Sequence, residues 1–403
     1  MKNWIKILQT FSSLRIRNFR IYIIGQTIST VGNWMQNIGL AWLVLKLTDS
    51  GTVLGIIIAL QFAPILVFGP WAGVITDRFK KYNLLFITQS IMGFISLIIG
   101  ILVAMNFIHI WMIYLSAILL GFMKAIDNPA RQTFIHEMVG KDSLMNAVSL
   151  NSVQNNLSRA IGPSIAALLI AIFGLAPLFL FNALSYVVSV VTLSMIDKSK
   201  LNIHPTTNKI KGQLMEGFRY IRSSPIIFYT LLMMAIIGTL TYEFSVSLPL
   251  LAKFTFNGTA TTFAIFTAAL GIGSVFGGIN TASRTKINLS IVTRNAFLFA
   301  LSVLIFAITP TLNTAIFLLI FVGFFSINFL SFANVILQTE SIPSMRGRVM
   351  SLWSVALLGS TAIGGPIVGL VGQYIGPRFS LLLGGFAALF ASGIGLIALR
   401  KIK

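Results

Sequence analysis

The sequence predicts an all-α membrane protein of twelve transmembrane helices in two six-helix bundles, with both termini cytoplasmic. Three observations carry that prediction. The 403 residues are 56% hydrophobic and 9% charged, with a mean hydropathy of +0.90, whereas soluble domains carry about 25% charged residues. Apolar runs long enough to cross about 30 Å of hydrocarbon recur twelve times between short polar breaks. Lysine and arginine are also distributed unevenly between alternate connections, as expected of a polytopic chain.

Residues 1–19 place Trp4, Leu8 and Phe11 on one helical face among basic residues, a pattern that suits a helix lying on the inner leaflet. The apolar runs fall at 20–46, 52–75, 83–105, 110–128, 144–173 and 177–196, forming an N-terminal bundle over 20–196. The first run is too long, and too rich in Gln26, Asn33, Gln36 and Asn37, for a cleaved signal peptide. Residues 197–225 form the longest connection, a cytoplasmic linker with a polar stretch from His204 to Asn208 and helical spacing of Leu214, Phe218 and Ile221. Runs at 226–252, 259–283, 288–309, 313–337, 347–375 and 378–399 form a C-terminal bundle over 226–403.

Orientation comes from the basic residues. Of 29 Lys and Arg, 25 fall in or near the set of connections that includes both termini, three (Lys46, Lys253 and Arg378) fall in or near the opposite set, and Arg159 lies deep inside a run. The bias places both termini inside. The formal charge of +20 is therefore read as attraction to anionic lipid, and no basic cluster interleaved with aromatics speaks for nucleic acid. The lack of cysteine excludes disulfides, thiolate zinc and iron–sulfur clusters, and three scattered histidines do not suggest a metal site. No phosphate-binding loop or nucleophile elbow occurs, so neither an ATP-driven pump nor an enzyme is supported, and no cofactor is expected. Gly271, Gly273, Gly277 and Gly278 sit in an apolar run with no preceding strand, which points to close helix packing.

The halves echo each other. Glu137, Ser149, Leu150, Gly162 and Pro163 recur as Glu340, Ser351, Leu352, Gly365 and Pro366, offset by 202 or 203 residues. Two halves that both start inside make a parallel repeat, and such duplication builds two bundles around a shared midplane cavity. A channel could be duplicated in the same way, so the repeat favours alternating access without requiring it.

Of nine acidic residues, eight are placed in loops or at span ends, and Glu243 is placed inside the outer part of the seventh run beside Tyr242. An ionised carboxyl within the bilayer is costly, which makes it a candidate functional group by default and the residue type a proton carrier needs. A carboxylate kept wet at an outer mouth would fit the same position. Arg159 is the matching cation. Asn151, Gln154, Asn155, Ser158 and Arg159 form a stripe at i, i+3, i+4, i+7 and i+8, which cannot face lipid cheaply. Gln26, Thr30, Asn33 and Asn37 form another at i, i+4, i+7 and i+11, with Gln36 alongside. Asn182, Tyr186, Asn328 and Asn334 add isolated polar groups. Each amide serves equally well as a substrate contact or as an interhelical hydrogen bond worth about 0.6 kcal/mol.

The turn Gly73-Val74-Ile75-Thr76-Asp77-Arg78-Phe79-Lys80-Lys81 resembles the signature loop of the major facilitator superfamily, and Arg159 with Gly162-Pro163 resembles its exporter-associated Gly-Pro motif. Gly32-Asn33-Trp34-Met35-Gln36, Leu60-Gln61-Phe62, Gly69-Pro70-Trp71-Ala72-Gly73, Asp127-Asn128-Pro129-Ala130-Arg131-Gln132 and Glu216-Gly217-Phe218-Arg219-Tyr220 are similar to the branch that contains the enterobactin exporter and macrolide efflux proteins. The resemblance implies the major facilitator fold in a bacterial cytoplasmic membrane and export of a small organic molecule in exchange for protons. It also implies that Asp77 stands at the N-terminus of the eleventh helix, and that Arg78, Asp127 and Arg131 complete a cytoplasmic latch. Lys80 departs from the superfamily's usual Gly, Ala166-Ala167 replace its Gly pair, and the second half's counterpart loop from Gly278 to Lys286 lacks the aspartate.

The residues expected to act are thus Glu243 for proton coupling, with Gln26, Thr30, Asn33, Gln36, Asn37, Asn151, Asn155, Arg159 and Tyr242 toward substrate or cavity. Asp77, Arg78, Asp127 and Arg131 are expected to gate, and Gly162, Pro163, Gly365 and Pro366 to pack helices. The expected partners are a small molecule, protons and lipid, with a monomer sufficient for function. Proton-coupled uptake and a non-transport membrane scaffold use the same fold and stay open at this level.

Overall fold

The computed structural model describes residues 12–202, 213–282, 284 and 287–402, and among them every regular element is helical. The interfacial segment expected at residues 1–19 and the polar stretch from His204 to Asn208 lie largely or wholly outside that range. In chain order the helices are α1 (Arg17–Thr48), α2 (Gly51–Arg78), α3 (Lys81–Ala104), α4 (Ile110–Gly140), α5 (Ser143–Phe173), α6 (Ala176–Ser194), α7 (Gln213–Ser223), α8 (Pro225–Leu240) and α9 (Phe244–Leu250). They continue with α10 (Ala260–Ala282), α11 (Leu289–Ala307), α12 (Leu312–Glu340), α13 (Pro343–Ser354), α14 (Thr361–Tyr374) and α15 (Pro377–Ile402). A single π turn at Leu251–Thr255 ends α9, and another at Val355–Gly359 joins α13 to α14.

Eleven helical spans among the described residues are long and apolar enough to cross a membrane. The twelfth apolar run of the sequence is α1, which is 32 residues long but carries the stripe of Gln26, Thr30, Asn33, Gln36 and Asn37. Its polar face, rather than its length, sets it apart from the others.

One boundary differs from the sequence reading in a way that matters. The run expected to end at residue 128 continues as helix to Gly140, because Pro129 is tolerated inside it and the chain turns only where Gly140 takes a φ of 67°. Glycine occupies that left-handed region without the clash a Cβ brings. The backbone N–H of Asn202 donates to the carbonyl of Glu137 at 2.8 Å and so satisfies an end group of α4. Asp127 is consequently an interior residue of a spanning helix and not a loop residue.

The chain packs as two compact units, one of residues 1–39 and 67–207, the other of residues 40–66 and 208–403. In the first, Phe19, Tyr22, Leu85, Phe134, Ile135, Met138, Ala147 and Leu193 form a buried cluster where α1, α3, α4, α5 and α6 meet. The charges beside it are paired: Lys81 lies 3.6 Å from Glu137, with both side chains buried. In the second, α10 and α12 approach backbone to backbone, since a Cβ at Gly273 would strike the carbonyl of Ile320 and one at Gly323 that of Leu270. That is the close packing the glycines of α10 predict, and dispersion across such seams holds helices together where lipid gives no hydrophobic drive. The end of α1 and the start of α2 belong to this unit. Gly51 and Gly55 abut Gly369 and Gly365 of α14, the N–H of Gly51 donates to Gln373 Oε1, and Lys253 pairs with Asp49 while donating to the carbonyl of Leu45 at 2.6 Å.

Candidate functional site

Glu243 stands where the chain between α8 and α9 departs from the helical path. α8 stops at Leu240, both Thr241 and Tyr242 donate their N–H to the carbonyl of Ile237, and α9 restarts with the N–H of Val246 and Ser247 on the carbonyl of Glu243. The break is held from two sides. Thr241 Oγ1 donates to the carbonyl of Gly384 on α15 at 2.7 Å, and the Tyr242 hydroxyl donates to that of Ser326 on α12 at 2.7 Å. Tyr242, Phe244 and Phe299 form an aromatic group around it, with centroids 5.4–6.5 Å apart.

The Glu243 side chain points into protein, because the residue is 2% exposed. Thr361 of α14 offers a hydroxyl to the carboxyl, while Oε1 is a buried oxygen with no hydrogen-bond partner. α14 reaches this point because residue 364 is glycine: a Cβ there would collide with the carbonyl of Thr239 and stand 3.0 Å from Glu243 Oε1. A buried carboxyl oxygen without a donor is costly to keep ionised. The sequence located the carboxyl but read a continuous helix through it; neither the break, Thr361 nor Gly364 carries a sequence signal of its own.

A second interior carboxylate lies in the other unit. Asp127 is 3% exposed and accepts from Thr88 Oγ1 at 2.9 Å, Gln89 Nε2 at 2.8 Å and Arg131 Nε at 3.0 Å, with a further bond from Arg131 Nη2. Arg131 lies one helical turn beyond it, which is the spacing that lets such a pair meet. Arg78, expected beside it, is exposed, and the side chain of Asp77 lies outside the described residues.

The α1 stripe divides between packing and exposure. Asn182 donates to Gln36 Oε1 at 2.8 Å and Tyr186 to Asn33 Oδ1 at 2.8 Å, so these two amides tie α1 to α6. Gln26 and Thr30 bond to each other along the helix. Asn37 is exposed. On α5, Asn155 is exposed, Asn151 half-buried, and the Asn155 amide donates to the Asn151 carbonyl at 2.9 Å. Arg159 is half-buried, with its guanidinium 5.2 Å from the ring centroid of Trp34. Gly162 brings α5 onto α1 beside that ring, Gly365 brings α14 onto α2, and Pro163 and Pro366 sit inside their helices.

In the linker, Glu216 of α7 pairs with Arg348 of α13 at 2.7 Å, and the Tyr220 hydroxyl accepts from the N–H of Ile342 at 3.1 Å. Asp197, at the start of the linker, accepts from the Ser199 hydroxyl and N–H, which together hold its carboxyl below the usual range. No group of three or more potential metal ligands occurs among the described residues.

Known proteins agree with this architecture. The chain is 22% identical to macrolide efflux protein A of Streptococcus pyogenes over 94% of its length and 95% of that protein. It is 22% identical to the enterobactin exporter EntS of Salmonella choleraesuis over 96% and 93%. It is 29% identical to the staphyloferrin A transporter of Staphylococcus aureus, a match that spans 61% of this chain and 62% of that protein. Among solved structures, a bacterial homologue of the lysosomal transporter Spinster superposes with a TM-score of 0.74 at 12% identity, covering 95% of this chain and 96% of that one. A bacterial homologue of the iron transporter ferroportin gives 0.72 at 15% identity, covering 95% and 98%. These likenesses establish the major facilitator fold of a multi-pass bacterial membrane transporter, not an enzyme. With a match over residues 8–403, the chain belongs to the transmembrane secretion effector family of that superfamily.

Proposed function

We propose that this protein exports a small organic molecule, drug-like or siderophore-like, from the cytoplasm by proton antiport under alternating access. One observation carries the reading. Glu243 is a buried carboxyl with an oxygen that no protein group satisfies, placed at a break that neighbouring helices hold open. Holding and releasing a proton there changes the charge inside a low-dielectric wall, and charge changes of that kind bias conformational equilibria. The relatives named for macrolide efflux and enterobactin export support the direction and the class of cargo.

Other residues take their roles within the same reading. Asn37, Asn155, Asn151 and Arg159 form the face that meets substrate, with Tyr242 beside the proton site. Asp77, Arg78, Asp127 and Arg131 set the resting state on the cytoplasmic side. The Lys and Arg bias puts both termini in the cytoplasm, and one chain suffices. The test is efflux of a macrolide and a siderophore panel from cells at two external pH values, comparing wild type with Glu243→Gln. Export that tracks the proton gradient in wild type and loses that dependence in the variant supports the reading. An unchanged pH dependence removes Glu243 from coupling.

A further inference from the structure

Lys124, which the charge count of the sequence groups with the cytoplasmic side, belongs to the interior of α4. It stands fourteen residues past Ile110 and sixteen before Gly140, about 21 Å and 24 Å along the helix at 1.5 Å per residue. Its four-carbon stem cannot carry the charge past either end. Nor does it face lipid. Ile113, Ala117, Leu120, Lys124, Asp127 and Arg131 recur at i, i+4, i+7, i+11, i+14 and i+18, and so share one side of the helix. Ile113, Ala117, Leu120 and Asp127 are buried, whereas the exposed apolar residues Trp111, Leu115 and Leu119 line the opposite side. On the inward side Lys124 is enclosed by protein and still half open to solvent.

Its charge is uncommitted. Asp127 stands three residues on, a spacing at which the two could pair, but its oxygens already accept four hydrogen bonds: one each from Thr88 and Gln89 on Oδ1, and two from Arg131 on Oδ2. An ionised carboxylate has about four acceptor sites, so none is left for an ammonium. Among the described residues Lys124 makes no ion pair and no hydrogen bond, and the charge it senses, that of Asp127, is already balanced by Arg131. Lys124 is therefore a surplus cation inside a span, which is costly unless a partner arrives. Its ammonium is a compact charge with three donors, so it meets a carboxylate or phenolate oxygen without demanding the planar fit a guanidinium needs.

We propose that Lys124 anchors an acidic group of the exported molecule, which is an organic anion. The inference rests on the export reading for the fate of that molecule, but the binding it specifies needs no proton gradient. The test uses the full-length chain in nanodiscs of phosphatidylcholine, which carries no net charge to compete. Three probes share one ring system and differ in charge: 1-naphthoate, 1-naphthamide and 1-naphthylmethylammonium. Binding is read by equilibrium dialysis with empty discs subtracted.

The wild type should hold the acid about tenfold more tightly than the amide or the cation. Lys124→Gln should erase that preference while keeping amide binding, and Lys124→Arg should retain part of it. Without ligand, Lys124→Met should melt no lower than wild type, since it removes a charge that nothing balances, and naphthoate should stabilise only the wild type. A lysine that merely supports the fold would give the reverse, and a marked drop in melting temperature overturns the proposal. The wild-type comparison decides the matter even where a variant fails to fold: equal binding of the three probes, or a preference for the cation, overturns it too. Failure of the Glu243→Gln export test would leave these results standing, and their failure would leave proton coupling untouched.

Discussion

Asp127 and Glu243 are both carboxylates almost wholly removed from solvent inside spanning segments, yet their surroundings are opposite. Asp127 receives four hydrogen bonds from three side chains, two of them from an arginine one turn away. Glu243 has a hydroxyl on one side and an unsatisfied oxygen on the other. Asp127 has a counter-charge and two neutral donors on its oxygens, whereas Glu243 keeps an oxygen that no protein donor meets, a costly arrangement for a buried carboxylate. Burial alone therefore does not mark a proton-carrying residue. What separates the two is whether the protein has supplied the charged form with donors.

Asp127→Ala should produce the largest loss of stability, about 3–5 kcal/mol, because it leaves Arg131 buried without its counter-charge. Thermal unfolding in detergent measures it, and an apolar replacement of both partners should recover much of the loss. Next comes Gly364→Leu, which forces a side chain between α14 and the Thr239 carbonyl and should cost about 1–3 kcal/mol by the same assay. Asn182→Ala removes the tie to Gln36 and should cost about 0.6 kcal/mol with export retained. Export lost at full stability would instead make that amide a transport residue. The smallest change in stability, under about 0.5 kcal/mol, is expected for Glu243→Gln, since an amide keeps the shape and the hydroxyl contact. If that variant unfolds as readily as Asp127→Ala, the contrast between the two carboxyls collapses.

The helices, their order and the charge bias were legible in the sequence because length and hydrophobicity report directly on membrane crossing. Glu243 was legible for the same reason: a lone acid in an apolar run is conspicuous. The depth of Asp127 was not, because Asn128-Pro129 reads as a break, and only tertiary packing lets a helix run through it to Gly140. The amides of α1 look alike in sequence, but partners on α6 decide that Asn33 and Gln36 pack while Asn37 remains exposed. The pairing of Lys253 with Asp49 joins residues about two hundred positions apart, and no local pattern announces it.

The interruption at residues 241–243 has a consequence for engineering. An ideal helix advances about 100° per residue, so a substitution that zipped this stretch into regular winding would rotate Phe244–Leu250 about its own axis and swing the carboxyl away from Thr361. Regularity, usually the route to a hardier scaffold, would here part the carboxyl from its hydroxyl neighbour even where Glu243 and Thr361 are both kept.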